Sequence, residues 1–159
     1  MNKSFEVLHL YVSPDHNYFG HHGRPAGANP VLEVREVRCV AGRGIEGDRF
    51  FDREAGHKGQ ISFFADEVYQ CLCEQFGIWD KPASVFRRNV ITGGVDLNKL
   101  VGQEFEVQGV RFLGTEECRP CHWMNLAFCP GAEAALRGRG GLRARILTSG
   151  VLCQPVMVP

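Results

Sequence analysis

The chain has no hydrophobic run long enough to cross a membrane. Its apolar stretch from Phe5 to Val12 spans eight residues, carries His9 and runs into Pro14 and Asp15. No export signal stands near either terminus, so a soluble, cytoplasmic protein without a membrane partner is expected. A charge surplus is missing as well: 18 Lys and Arg balance 18 Asp and Glu. A duplex-binding surface would show a basic excess, so no nucleic-acid partner is expected. The seven cysteines are an odd number, which speaks against a fully paired disulfide framework and for reduced thiols, at least one of them chemically used. With 159 residues and no repeat, low-complexity tract or linker, the length suits one core and not two. One domain over residues 1–159 is the expectation.

What is present is unevenly spread. Residues 1–80 carry four more acids than bases, and residues 81–159 reverse this. The basic excess is mostly arginine, grouped as Arg87 and Arg88 and as Arg137, Arg139, Arg143 and Arg145. Such grouping suggests a local anion site.

The hydrophobic pattern predicts strands over Phe5–Val12 and Val31–Val40, joined by a polar loop from Ser13 to Pro30. In the second run the apolar phase shifts from Leu32 and Val34 to Val37 and Cys39, which a bulge near Arg35–Glu36 would explain. A helix is predicted from about Phe63 to Phe76, with Ser62 as N-cap, Gly77 as stop, and Phe64, Val68, Leu72 and Phe76 on its buried face. Further strands are expected at Arg88–Thr92, Arg143–Thr148 and Val151–Val158, a hairpin at Glu104–Leu113 across Gln108–Gly109, and a short helix at Ala132–Arg137. Many short strands with one substantial helix indicate a mainly β, α+β domain: a β-barrel or strongly curved sheet with peripheral helices.

Three motifs bear on chemistry. Gly42-Arg43-Gly44-Ile45-Glu46-Gly47 has dinucleotide-loop spacing, but Asp48 and Asp52 follow it, and no helix-forming stripe does. Gly138-Arg139-Gly140-Gly141-Leu142-Arg143 lacks the Lys-Ser/Thr ending of a nucleotide loop, although glycine NH groups beside arginines can hold one phosphate. Cys118-Arg119-Pro120-Cys121 admits several readings. It could be half of a zinc site completed from Cys71, Cys73, His122 or Cys129, a redox pair, a structural cysteine, or a single soft thiolate offered to a metal or to sulfur.

The ordered set of Gly44-Ile45-Glu46-Gly47-Asp48-Arg49, Gln60-Ile61-Ser62, Arg88-Asn89-Val90, Gly94-Val95-Asp96-Leu97, Leu100-Val101-Gly102, Pro120-Cys121 and Gly140-Gly141 resembles the molybdenum-cofactor sulfurase C-terminal (MOSC) domain over about residues 35–153. The resemblance implies a small stand-alone member with a β-barrel fold. It further implies that Cys121, as catalytic residue and metal ligand, ligates molybdenum or carries a persulfide. The molybdenum cofactor offers a dithiolene and a phosphate. Cys121 would meet the metal, while Arg87, Arg88, Asn89, Arg143 and Arg145 would meet the phosphate and pterin. Asp48 and Arg49 fall in the matching loop as either an ion pair or a cofactor contact, and His57 would supply a proton. Cys118 is expected to matter much less than Cys121.

This chain has no room for a pyridoxal-phosphate desulfurase region, so electrons or sulfur would come from a separate electron-donor or cysteine-desulfurase protein. The leading expectation is reduction of N-hydroxylated compounds or a related oxo transfer. A persulfide or cofactor carrier, and a zinc-stabilised module without catalysis, are the rivals.

Overall fold

The computed structural model describes residues 5–14, 31–54 and 56–155. Most of the expected 13–30 loop, and the end of the strand expected at 151–158, therefore lie outside the described residues. The first strand, β1 (Glu6–Val12), forms as expected. The second apolar run does not make one bulged strand. It divides into β2 (Leu32–Glu33), which pairs with β1, and β3 (Glu36–Val40), which pairs elsewhere. The phase shift at Val34–Arg35 marks the point where the chain passes from one sheet to another.

The remaining strands are β4 (Gly44–Ile45), β5 (Ile61–Ala65), β6 (Val90–Gly93), β7 (Glu104–Val107), β8 (Val110–Glu117), β9 (Leu142–Ile146) and β10 (Gly150–Cys153). A seven-stranded sheet runs β2-β1-β6-β5-β9-β8-β7, and a three-stranded sheet runs β10-β3-β4. The mainly β, α+β class holds, but the expected barrel does not close. The large sheet ends on β2 and β7, and β3 and β10 have gone to the small sheet.

The expected helix starts late. Ile61–Ala65 is strand β5, hydrogen-bonded in parallel to β6 and antiparallel to β9, and α1 covers Asp66–Phe76. Two strand partners outweigh the local helical spacing of Phe64 with Val68. Ser62 therefore caps nothing; the N-cap position is Ala65, without a side-chain cap. Gly77 does end α1, at φ 65°. Helices α2 (Trp123–Ala127) and α3 (Ala132–Ala135) are short.

Alternation along the strands builds two cores, one on each face of the large sheet. Leu10, Phe63, Val90, Phe112 and Leu142 face the small sheet's Val37, Cys39 and Leu152. Their neighbours Tyr11, Phe64 and Ile91 point the other way, onto Leu72 and Cys73 of α1 and Phe128, Ala132 and Leu136. Ser62 and Arg143, paired across β5 and β9, share that second face, and there the site opens.

Candidate anion-binding cleft

A cleft of about 440 Å³ is lined by Arg49, Phe50, Arg53, His57, Gly59, Ser62, Arg87, Arg88, Cys118 and Arg143. Five arginines share this lining, and among the described residues no carboxylate does. Segments far apart in sequence meet here: the 49–59 turn, β5, the 87–88 pair, the end of β8 and β9.

Arg87 and Arg88 follow a 3₁₀ turn, Ala83–Phe86, and Arg87 itself sits at φ 57°. That conformation is costly for a side-chain-bearing residue and persists only where its surroundings hold it. They do so here: the Arg87 guanidinium donates to Ser13 Oγ at 2.6 Å, and its carbonyl accepts from Arg49 Nη2 at 3.1 Å. Arg88 donates from Nε to Gly140 O at 3.2 Å and from Nη1 to Phe86 O at 3.1 Å. Both acceptors are neutral carbonyls, so these bonds fix the guanidinium without cancelling its charge.

Arg49 lies 3.5 Å from Asp48, whose side chain is fully buried. Burial pulls the Arg49 guanidinium down to about 10; Asp48 opposes this, while Arg87 and Arg88 add to it. Arg49, Arg87 and Arg88 thus gather three guanidiniums in the inner part of the cleft, of which Arg49 pairs with Asp48. Toward the mouth, Arg143 pairs with Glu116 at 3.2 Å, both side chains partly exposed. His57 Nδ1 lies 3.2 Å from Glu54 and its ring stacks on Phe50, over which Arg49 and Arg53 also lie.

Of the residues expected from sequence, Arg49, Arg87, Arg88, Arg143 and His57 are brought together in the lining. Asp48 is not in it: its carboxylate accepts the Ser13 amide at 3.0 Å and so ties the turn to β1. Asn89, expected to read a pterin edge, is 2% exposed and has its amide engaged. Its Oδ1 accepts from Ser62 N and Ser62 Oγ, and its Nδ2 donates to Tyr11 O. It clamps β1, β5 and β6 together. Arg145 shares a face of β9 with Arg143 but stands opposite Leu113, outside the lining; its buried Nε has no hydrogen-bond partner among the described residues.

The cysteines divide differently from expectation. Cys118 is buried and forms part of the cleft wall, whereas Cys121 is exposed and lies outside that lining. Among the described residues no three of His, Cys, Asp and Glu gather as a metal site. Sequence reasoning missed Phe50, Arg53, Gly59 and Ser62. The Arg49-Phe50 and Arg53 spacing was the available signal, since two cations four residues apart can share one ring.

Two glycines shape the wall. A Cβ on Gly141, at φ 112°, would come 2.3 Å from Phe63 O and 3.6 Å from Arg88 Nε, and one on Gly140 would come 2.1 Å from Cys118 O. The Gly140-Gly141 pair is therefore required by the close approach of β5 and the Cys118 turn.

Comparison with known proteins agrees with this architecture. The YuaD protein from Bacillus subtilis superposes with a TM-score of 0.70 at 18% identity, covering 96% of this chain and 93% of that one. YiiM from Geobacillus stearothermophilus gives 0.67 at 17%, covering 94% and 71%. YiiM from Escherichia coli gives 0.62 at 18%, covering 89% and 65%. Among curated protein sequences nothing matches. The family model of the MOSC domain matches residues 50–156, which takes in all of the cleft lining but Arg49. The chain thus belongs to the MOSC domain family, a family associated with binding and sulfuration of the molybdenum cofactor.

Proposed function

We propose that the cleft binds the molybdenum cofactor, with its phosphate held by Arg49, Arg87 and Arg88 and its metal met by the thiolate of Cys121. The observation that carries this reading is the inner arginine group. Arg88, fixed by the neutral carbonyls of Phe86 and Gly140, stands beside Arg49 and Arg87, and such a group of guanidiniums suits a phosphate. The Cys118–Cys121 turn offers the soft donor that molybdenum requires, with Cys118 in the cleft wall and Cys121 exposed outside the lining, and a Cβ at Gly140 or Gly141 would collide with that wall. When bound, the cofactor supplies two-electron oxygen-atom or sulfur chemistry. His57, held between Glu54 and Phe50 at the mouth, can hold or pass a proton at Nε2. Reduction of N-hydroxylated compounds with a separate electron donor is the enzymatic form of this reading.

The exposure of Cys121 favours a second form, in which the domain carries sulfane sulfur received from a separate desulfurase protein. Protein purified from a molybdenum-replete host tests the shared premise. Molybdenum and pterin are expected in comparable amounts, with loss of both in Arg88→Ala and of molybdenum in Cys121→Ser. Absence of pterin from the purified protein, together with no measurable binding of inorganic phosphate, would overturn it.

A further inference from the structure

Four of the seven cysteines are buried, and three of these, Cys39, Cys73 and Cys129, sit in the two apolar cores. Cys118 is 2% exposed, yet among the described residues it joins neither core; it stands in the cleft wall with Arg49, Arg87, Arg88 and Arg143. Strand alternation agrees, because Glu116, two residues earlier, pairs with Arg143 at the cleft mouth. Cys118 and the inner arginines are also tied to one short piece of backbone. Cys118 N donates to Gly141 O at 2.8 Å, and Arg88 Nε donates to Gly140 O at 3.2 Å. A buried cysteine that fills no apolar core and adjoins guanidiniums is a thiol placed for an anion.

We infer that the open cleft binds thiosulfate and that Cys118 takes its outer sulfur. This goes beyond the cofactor reading, since it uses the arginines and Cys118 but neither the metal nor Cys121. Arg88, with Arg49 and Arg87 beside it, holds the sulfonate oxygens, whose spacing suits the parallel N–H donors of a guanidinium. The Cys118 thiol loses its proton to solvent, and the thiolate attacks the outer sulfur of thiosulfate. A Cys118 Sγ–S bond forms, the S–S bond of thiosulfate breaks, and its electron pair leaves with sulfite. Cys118 is left as a persulfide anion. One sulfur atom has moved, three negative charges stand on each side of the step, and no oxidant or reductant is consumed. In open water the thiolate and the dianion repel each other; the guanidiniums offset that repulsion and stabilise the departing sulfite. Cys71, Cys121 and Cys153 are exposed but lie outside the lining, so they lack this help.

The test uses the full-length protein, purified both from a host that makes no pterin and from a molybdenum-replete one. Each is incubated with thiosulfate labelled in its outer sulfur and alkylated in denaturant, and the label is located by fragment-ion mass spectrometry while released sulfite is measured. One labelled sulfur on Cys118 and one sulfite per loaded chain are expected, with the three exposed cysteines unlabelled and the label discharged as thiocyanate by added cyanide. Loading disappears in Cys118→Ser, and in Cys118→Ala should the serine disturb the wall. It slows by about tenfold or more in Arg88→Ala, the effect of losing a charge-assisted contact. Inorganic phosphate slows loading of the unaltered protein, which tests the seat without any substitution. Protein from the replete host loads less by the fraction that holds pterin; if it holds none, the cofactor reading falls and the thiosulfate reaction is judged by loading alone. Absence of label from Cys118, label appearing as fast on the exposed cysteines, or a sulfonate in place of a persulfide overturns the inference. So does loading that neither Arg88→Ala nor phosphate slows, or that stays undiminished in chains holding pterin.

Discussion

Arg49 shows how a single side chain sets the electrostatics of the cleft. Its guanidinium titrates near 10 because it is buried and because Arg87 and Arg88 repel it. A basic group depressed in this way costs the folded state something whenever it is charged, and that cost is relieved as pH rises above about 10. Anion binding runs opposite, since it requires the charged form. Phosphate affinity, measured by calorimetry at constant ionic strength, is therefore expected to hold to about pH 9 and fall beyond it. Arg88→Ala should weaken phosphate binding by about 1.5–3 kcal/mol, the worth of a charge-assisted hydrogen bond. Arg143→Ala should cost less, since Arg143 already shares its charge with Glu116 at the exposed mouth. Equal losses in the two variants would count against the inner group as the phosphate seat.

Thiol reactivity separates the cysteines in the same way. Burial pushes Cys39 up to about 12, so it should resist alkylation until the protein unfolds. Cys71, Cys121 and Cys153 are exposed and should react first. Cys118 should react slowly and be protected by added phosphate, and mass mapping of alkylated protein distinguishes these groups.

Among the elements, strands such as β1 and the β7–β8 hairpin and the Gly77 stop of α1 were legible because alternation and glycine chemistry are local. The β5 strand was not: Phe64, Val68, Leu72 and Phe76 do share one apolar cluster, as expected, yet Phe64 reaches it from a strand. Only its pairing with β6 and β9 decides that, and pairing is not written in the segment itself. The Gln108–Gly109 hairpin formed despite an unfavoured residue. Gln108 takes φ 51° because its side chain exchanges two hydrogen bonds with the backbone of Cys153. At the site, the sequence named Arg49, Arg87, Arg88 and Arg143, which line the cleft, but also Arg145, which does not, and it offered Asn89 as a ligand contact when its amide is a strand clamp. Asn89→Ala should accordingly destabilise the fold by about 2–3 kcal/mol, leaving Ser62 N and Tyr11 O unpaired. Gly141→Ala should cost about 1–3 kcal/mol through its collision with Phe63 O, and denaturant melts measure both.

For the whole molecule, the large sheet is shared by both cores, so neither can be lost without exposing the other's strands. A single cooperative transition is expected, with tryptophan fluorescence and far-ultraviolet circular dichroism melting together. Trp123 is buried while Trp79 is 65% exposed, so Trp79→Phe would isolate the core probe, and separate midpoints would show independent halves.

The small sheet carries a different consequence. Its strand β3 has only the two-residue β4 as a near neighbour in sequence, and its longer partner β10 comes from the far end of the described chain. Until that closure is made, β3 presents unpaired amides and carbonyls to whatever strand arrives first, including β10 of another molecule. Refolding yield should therefore fall with protein concentration, and exchange of β10 between copies is the route by which material would be lost to dimers and aggregates.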